Sequence, residues 1–281
     1  MGEPAVGTTP PRVMTIAGTD SGGGAGVAAD LRALTACGAH GCVAVTAVTV
    51  QNTLGVSDVH VLPPATVAAQ IIAVATDIGL DAAKTGMLAG APTIEAIVAA
   101  CDEVGIGVDG RTPLVLDPVA ASMHGDQLLA DSALDAFRTL LFPRATIVTP
   151  NLDEVRLLVG IDVHDRAGQY DAARALHAMG ARNVLVKGGH LVEDTESCVD
   201  LFYDGDDFVE LPGPRFDTGD THGSGDSMAS AIAAALARGA SVADAVAFGK
   251  RYVTEAVRNA YPLGAGHGPV SPMWTVRHWW E

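Results

Sequence analysis

Basic residues and long apolar runs are both scarce in this sequence of 281 residues. Lys and Arg total 17 against 33 for Asp and Glu, which gives a formal net charge of −16. That balance argues against a nucleic-acid binder that works through a general basic surface. No stretch of about 18 consecutive apolar residues occurs, so we expect no membrane span. An anionic ligand must therefore be held locally, by glycine amides, helix ends and a few cations.

Cysteine and aromatic residues are also rare. The four cysteines form no C-x-x-C pair, which is typical of reduced thiols in a cytoplasmic protein. The N-terminus lacks the basic start and apolar run of a signal peptide, so we predict a cytoplasmic location. Residues 1–11, rich in Gly, Pro and Thr, are predicted to form a flexible leader. Aromatic residues make up only 5%, so the core should consist of small aliphatic side chains.

Lysine is the scarcest of the charged residues, since only three of the 17 basic residues are lysines. Two of them, Lys84 and Lys187, begin the glycine motifs KTGM and KGGH. In a chain that otherwise uses arginine, a lysine retained at such a place indicates a site that favours a compact ammonium group.

Short apolar runs alternate with helical patterns along the chain, which indicates the fold class. Buried strands are predicted at 12–18, 41–50, 81–85, 113–117, 146–149 and 183–186. The repeated order of strand, loop and helix, without a linker, predicts an α/β fold. Its sheet should be doubly wound and mostly parallel, with helices on both faces. We predict one domain over 12–270 and a tail with three tryptophans over 271–281.

Several other segments have distinct patterns. A short edge strand is predicted at 59–62, an antiparallel hairpin at 198–211 and a last long helix at 242–258. A loop with Ser122, His124 and Gly125 should precede a helix that ends near Leu140. The tryptophan tail is expected to bind a partner, to pack on its own subunit or to be disordered.

A glycine-rich loop followed by an Ala-rich helix carries the clearest functional signal. The segment 218–237 reads TGDTHGSGDSMASAIAAALA. Glycines allow close approach to a phosphate, and a helix start offers unpaired N–H groups and the positive end of its dipole. We predict that Gly223, Ser224 and Gly225 form an anion hole for the transferring phosphoryl group. Asp226 would take a proton from an attacking hydroxyl, the alternative being a simple helix cap.

Further motifs occur in a fixed order between about Met14 and Pro269. They are AGTDSGGGAG from Ala17, Asp30, TVQNT from Thr49, KTGM from Lys84, LDPV from Leu116, TPNLDE from Thr149, VKGGH from Val186, THGSGD from Thr221 and GHGP from Gly266. With this set the chain resembles the hydroxymethylpyrimidine/phosphomethylpyrimidine kinases of thiamine biosynthesis, in the ribokinase-like superfamily. One motif departs from that family, because many members carry a cysteine where this chain has Asp226.

The resemblance implies a ribokinase-like domain with a central, mostly parallel sheet of about eight or nine strands and helices on both faces. It implies ATP as donor, Mg²⁺ as helper and a homodimer. The implied reaction is two successive phosphorylations, first of the pyrimidine's hydroxymethyl group and then of the resulting monophosphate. The aspartate at 226 leaves the anion hole intact and supplies a more conventional base than a thiol.

Residues at the predicted strand ends are assigned to the donor side of the site. Lys187 is placed near the donor phosphates, and Asn151 and Thr218 are assigned to ATP. Glu154 would hold Mg²⁺ through water, because Mg²⁺ keeps several waters and needs few carboxylates; Asp117 is a second metal candidate. The alternatives are a surface lysine for Lys187, a first-turn acid for Glu154 and a turn residue before proline for Asp117.

Four residues are assigned to the acceptor. Gln51 suits an aminopyrimidine, whose amino donor and ring-nitrogen acceptor one carboxamide can pair with together. Gly18 allows close approach and Met87 would pack over a flat ring, although a plain turn glycine and a core methionine are equally consistent. Asp30 would bind the substrate, or else only pair with a cation.

Two other kinds of function remain open. A ribokinase-like kinase for pyridoxal is one, since that ring is similar in size, and a non-catalytic pyrimidine-binding protein is the other. A dinucleotide-binding reading of the loop TDSGGGAG is weak. A Rossmann fingerprint needs an acidic residue after the second strand, where this chain has Gln51, Asn52 and Thr53.

Overall fold

The centre of the fold is a sheet of eight strands. The computed structural model describes residues 8–108, 111–120, 131–189, 191 and 197–279. Its strands are β1 (Arg12–Ala17), β2 (His40–Val45), β3 (Ala47–Asn52), β4 (Gly55–Val61), β5 (Ala82–Thr85), β6 (Leu114–Leu116), β7 (Ile147–Val148), β8 (Val184–Val186), β9 (Ser197–Tyr203) and β10 (Phe208–Pro214). The large sheet has the order β10-β9-β8-β7-β6-β5-β1-β2, and β3 and β4 form a separate ribbon.

Six neighbouring strands of the large sheet, from β2 across to β8, run parallel. The strands β9 and β10 run antiparallel at one edge, as the hairpin predicted at 198–211 requires. The predicted fold class, a mostly parallel sheet of eight or nine strands within an α/β domain, is confirmed. Parallel strands place all their carboxyl ends along one edge, where doubly wound sheets bind ligands.

Helices cover both faces of this sheet. They are α1 (Gly26–Ala36), α2 (Pro64–Asp77), α3 (Ala91–Val104), α4 (Asp131–Ala136), α5 (Leu152–Val159), α6 (Arg166–Ala178), α7 (Ser224–Leu236) and α8 (Val242–Arg258). Successive residues of β1 point to opposite faces. Val13 belongs to the apolar cluster with Ile232 of α7, whereas Met14 belongs to the cluster with Ile71 of α2 and Ile97 of α3.

The strand predicted at 41–50 is wrong as one element, because the chain breaks at Thr46 into β2 and β3. The buried Thr46 donates its N–H to Ala17 and its hydroxyl to the Met87 carbonyl, and it accepts the N–H of Leu62. These bonds direct β3 away from the large sheet and into the ribbon with β4, which is longer than the edge strand predicted at 59–62. Gln51 is therefore carried on a two-stranded ribbon and not at the end of a sheet strand.

Two other segments differ from prediction in detail. The helix expected to end near Leu140 begins as α4 and continues as a π-helical turn, Phe137–Leu141, and a 3-10 turn, Phe142–Arg144. The loop with Ser122, His124 and Gly125 lies outside the described residues, as does 1–7 of the predicted leader. The last helix matches its predicted bounds.

The tryptophan tail packs on its own chain over the part that is described. It forms a 3-10 segment, Pro272–Trp279, and the Trp274 ring lies 6.0 Å from that of Tyr252 in α8. Residues 280–281 lie outside the described part. All four cysteines are free thiols, as predicted. Among the helices described, none is long and apolar enough to cross a membrane.

Candidate active site

The predicted anion hole lies at the first turn of α7, against a second glycine turn. Gly223 precedes the helix in the left-handed conformation, with φ of 74°. A Cβ at Gly223 would overlap the backbone carbonyl of Gly24, so only glycine fits between the two turns. The Ser224 N–H donates to the Thr221 carbonyl at 3.1 Å. This bond engages one of the three N–H groups predicted to receive a phosphoryl group.

Asp226 sits one residue further along α7 and is held by a cation and a backbone N–H. One of its carboxylate oxygens accepts from Lys84 Nζ at 2.8 Å and the other from the Gly26 N–H at 3.2 Å. Burial would raise the pKa of Asp226, but the Lys84 ammonium, the Gly26 N–H and the charge of Lys187 together hold the pKa below its usual range. The predicted base is therefore ionised, and its side chain is 15% exposed.

Asp30 pairs with Lys84 in the interior of the fold. Its side chain is completely buried, and both carboxylate oxygens accept from Lys84 Nζ at 2.9–3.0 Å. The hydroxyls of Thr15 and Ser230 donate to the same carboxylate. The alternative predicted for Asp30, a carboxylate paired with a cation, describes these contacts, and its assignment to substrate binding stays a prediction.

The second ion pair of the site joins Lys187 and Asp117. Lys187 Nζ lies 2.9 Å from Asp117 Oδ1, and Thr149 Oγ1 donates to the same oxygen at 3.0 Å. A Cβ added at Gly225 would lie 3.1 Å from Lys187 Nζ and 3.5 Å from Asp117 Oδ2. Gly225 therefore faces the Lys187–Asp117 pair, while the next residue, Asp226, faces the Lys84–Asp30 pair.

Asn151 and Glu154 form a reciprocal capping box at the start of α5. Asn151 Oδ1 accepts from the Glu154 N–H, and Glu154 Oε2 accepts from the Asn151 N–H, both at 2.8 Å. Burial raises the pKa of Glu154 to about 8, opposed by Lys187 and aided by Asp117. Glu154 is therefore a first-turn acid that caps α5, as the structural alternative predicts. The charges of Lys187 and Asp117 also act on its carboxyl group.

The residues assigned to the acceptor side make two contacts in the structure. Gly18 and Met87 meet directly, because a Cβ at Gly18 would overlap the Met87 methyl group. Gln51 Nε2 lies 3.4 Å from His222 Nε2, and the same His222 nitrogen lies 3.0 Å from Asp20 Oδ2. The ribbon that carries Gln51 thus reaches the residue just before the anion hole.

Thr218 lies in the loop that leads to the anion hole. Its N–H donates to the Phe216 carbonyl, and its hydroxyl accepts the Asp220 N–H, both at 3.0 Å. These bonds shape the loop, and Thr218 itself remains partly exposed.

The segment with the motif GHGP ties the ribbon to the loop of the anion hole. The His267 N–H donates to the Thr53 carbonyl at 2.9 Å, and the Gly268 N–H donates to Asp220 Oδ1 at 2.8 Å. The His222 carbonyl accepts the Val270 N–H at 3.1 Å. Acceptor and phosphoryl sides are therefore joined through residues near the end of the chain.

Asp20 and His222 have no predicted role in this site, and for Lys84 the sequence predicts only a compact ammonium group. Asp20 is buried and accepts the N–H groups of Gly22, Gly24 and Ala25, so it organises the TDSGGGAG loop. An Asp that opens a glycine loop is a local signal for this arrangement. Lys84 is marked in the sequence as a scarce lysine that begins a glycine motif, and His222 lies inside the motif THGSGD.

The sequence matches a known protein family over most of its length. A family model described as phosphomethylpyrimidine kinase matches residues 20–271, which includes both glycine turns and both ion pairs. The chain belongs to the phosphomethylpyrimidine kinase family. It is therefore a phosphotransferase, and its kinase family implies ATP as the co-substrate.

Relatives of this kinase family match over nearly the full length. A hydroxymethylpyrimidine/phosphomethylpyrimidine kinase of Mycobacterium tuberculosis is 60% identical over 270 residues, covering 96% of each protein. The pyridoxal kinase of Bacillus subtilis, solved as an ADP complex, has a TM-score of 0.86 at 33% identity, covering 94% of this chain and 98% of that one. The phosphomethylpyrimidine kinase of Clostridium difficile has a TM-score of 0.76 at 34% identity, covering 88% and 99%.

Proposed function

We propose that this protein phosphorylates 4-amino-5-hydroxymethyl-2-methylpyrimidine from ATP and then extends the monophosphate to the diphosphate, for thiamine diphosphate biosynthesis. The observation that carries this proposal is the first turn of α7. Gly225 faces a lysine and a carboxylate on one side, and Asp226 presents an ionised carboxylate on the other. The 60% identity to a kinase named for both steps supports the choice of substrate.

Asp226 acts as the general base in this proposal. Its partly exposed carboxylate would accept the proton of the pyrimidine's hydroxymethyl group, while the anion hole of Gly223, Ser224 and Gly225 stabilises charge on the transferring phosphoryl group. Phosphoryl transfer needs little covalent chemistry from a protein, so positioning and electrostatics provide most of the rate. A non-catalytic pyrimidine-binding protein would not need an ionised carboxylate at this place.

The donor side would be built from Lys187, Asn151 and Thr218, with Mg²⁺ held near Glu154 and Asp117. The residues fit such an ion, because two buried carboxyl groups supply the oxygen ligands that Mg²⁺ prefers. Glu154 already accepts a backbone N–H at 2.8 Å, so it would act through a water. Burial raises the pKa of Glu154 and so favours its neutral form in the absence of a metal ion. A nearby cation would favour the ionised form.

The acceptor side would be built from Gln51, Gly18 and Met87, with His222 behind Gln51. Gln51 would read the amino group and ring nitrogen of the pyrimidine, and Met87 would pack against the ring next to Gly18. His222 contacts both Gln51 and Asp20, so it would set the direction in which the carboxamide points.

Pyridoxal is a second candidate acceptor. The observation in its favour is the TM-score of 0.86 to a pyridoxal kinase, above the 0.76 to a phosphomethylpyrimidine kinase. Both rings are flat and similar in size, so a cleft of this shape accommodates either. Turnover measured with each acceptor in the presence of ATP and Mg²⁺ decides which one is the substrate.

A homodimer is the proposed assembly, and the ribbon is the surface that supports it. Six of its apolar side chains are more than 40% exposed: Val48, Val50, Leu54, Val56, Val59 and Val61. Exposed apolar patches mark interaction surfaces, and a second copy of the same chain offers an equally apolar surface in a two-fold arrangement.

Asp226→Asn should lower turnover by about 10²–10⁴-fold, the usual loss for a positioned acid or base. Binding of ATP and pyrimidine should remain, because the carboxamide keeps the shape of the side chain. Steady-state turnover and calorimetric binding test this. Asp244→Asn, which changes an exposed first-turn acid of α8, is the matched control. Near-wild-type turnover in Asp226→Asn would remove Asp226 from the role of base.

Gln51→Glu should weaken pyrimidine binding about ten- to a hundredfold, since a ring nitrogen would face a carboxylate with no proton to share. That unmet group costs about 1–3 kcal/mol. ATP affinity should change little, because the donor side lies at the other strand ends. Calorimetry with both ligands measures this, with Asn52→Asp on the same ribbon as control. Equal losses for both ligands would indicate damage to the fold, and an unchanged pyrimidine affinity would place the ring elsewhere.

Glu154→Gln should raise the Mg²⁺ concentration needed for half-maximal activity. It should also weaken Mn²⁺ binding in the presence of ATP, which electron paramagnetic resonance detects without turnover. The reason is the loss of one charged ligand group. Asp153→Asn, at the partly exposed neighbour in the same helical turn, serves as control. Identical metal titrations for wild type and Glu154→Gln would assign the ion to other residues.

Val48→Lys together with Val50→Lys, which lie on one face of β3, should convert a dimer to monomers in sedimentation velocity, because two buried ammonium groups per ribbon would oppose the contact. Val209→Lys places the same charge on an exposed valine of β10, 43% exposed and at the far edge of the large sheet, and should leave the dimer intact. A monomeric wild type, or a double variant that stays dimeric, would contradict the proposed interface.

A further inference from the structure

Lys84 is the only lysine among the described residues that is completely buried at the site, and it lies between two carboxylates. Its Nζ is 2.8 Å from Asp226 Oδ1 and 2.9–3.0 Å from both oxygens of Asp30. With a side-chain exposure of 0%, it cannot touch ATP or the acceptor. Its effect on the reaction must therefore act through Asp226.

Asp30 is built as an anchor for that ammonium. It receives hydroxyl hydrogen bonds from Thr15 of β1 at 2.5 Å and from Ser230 of α7 at 2.7 Å. Together with Lys84 on β5 and Asp30 on α1, these contacts connect four elements. The position of the Lys84 ammonium is thus determined from the interior of the fold, independently of any ligand.

The charges around Asp226 come from four places. Lys84 on β5 is in contact, Lys187 follows β8 on the far side of Gly225, and the carboxylates of Asp30 and Asp117 lie behind these two lysines. Burial raises the pKa of Asp30 to about 6, with Lys84 opposing it. For Asp226 burial also raises the pKa, but Lys84, the Gly26 N–H and the charge of Lys187 together hold it below its usual range.

We propose that Lys84 is a positioning residue for the general base: its ammonium holds the Asp226 carboxylate deprotonated and turned toward the anion hole, and Asp30 anchors that ammonium. This inference rests on the proposed role of Asp226. Carboxylates within about 4–6 Å of an opposite charge favour the ionised form by about 1–3 pH units, which is enough to control a base at neutral pH.

The reaction step balances within this cluster. The acceptor oxygen forms a bond to the γ-phosphorus, the bond between that phosphorus and the β–γ bridging oxygen breaks, and ADP leaves. The hydroxyl proton passes to Asp226, so the net charge of Lys84, Asp30 and Asp226 changes from −1 to zero. Asp30 then remains as the single ionised partner of Lys84, which keeps the ammonium in place until Asp226 releases its proton to solvent.

The test is the pH dependence of turnover at saturating ATP and acceptor in Lys84→Met, Asp30→Asn and Lys84→Met/Asp30→Asn. The double variant removes both buried charges together and so avoids leaving one unpaired. We expect the acidic limb of turnover to move upward by about 1–3 pH units in both variants that lack Lys84, because the opposite charge beside Asp226 is gone. The KM for the acceptor should stay unchanged.

Asp30→Asn should not move the acidic limb of turnover upward. Without its second carboxylate the ammonium acts on Asp226 alone, so the acidic limb should stay or move to lower pH. The inference is overturned if the acidic limb of Asp30→Asn moves to higher pH. It is also overturned if the double variant folds and its acidic limb lies at the same pH as that of the wild type. Because Asp30→Asn retains the lysine and the shape of the side chain, it gives an answer even if the variants that lack Lys84 fail to fold.

Lys250→Met/Asp200→Asn is the matched control, since it removes another buried ion pair, 2.8 Å long, from a different cluster. It should lower the melting temperature without moving the acidic limb upward. Asp226→Asn separates the two proposals. If that variant keeps its turnover, the role of Asp226 as base fails; if it loses turnover while the double variant has the wild-type limb, only the role of Lys84 fails.

Discussion

A buried ammonium between two carboxylates is the constraint on which the site depends. An ion of this kind costs several kcal/mol to bury unless its partners satisfy it. Lys84 pairs with Asp30 of α1 and with Asp226 of α7. The pairing therefore fixes α1 and α7 relative to β5. Since the anion hole is the first turn of α7, its position over the strand ends follows from the same contacts.

Much of the fold could be predicted because its signals are local. Apolar runs, glycine positions and helical spacing predicted the parallel strands, the hairpin at the sheet edge and α8. The break at Thr46 could not be predicted, because it depends on bonds to Ala17, Leu62 and Met87. A continuous apolar run looks the same whether it stays in one sheet or turns into a ribbon, and only tertiary partners distinguish the two.

In the candidate site too, contacts between residues close in sequence were predictable and contacts between distant residues were not. Asn151 and Glu154 are three residues apart, so their contact at a helix start was visible from spacing alone. Lys84 and Asp226 are 142 residues apart, and no local pattern connects them. For Asp30 the sequence leaves open whether it binds the substrate or pairs with a cation, and its contact with Lys84 depends on tertiary structure. Residues that act through a neighbour leave a weaker trace in sequence than residues that contact a ligand.

The loop near the C-terminus that joins Thr53, Asp220 and His222 has a consequence for biosynthesis of the chain. The ribosome delivers β1, the ribbon and the anion hole before it delivers His267, Gly268 and Val270. Domains fold as units during synthesis at about 5–20 residues per second, with early segments available first. The backbone bonds that connect the ribbon to the anion hole can form only once these late residues leave the exit tunnel. A nascent chain can therefore assemble most of its sheet while its acceptor side still lacks this connection.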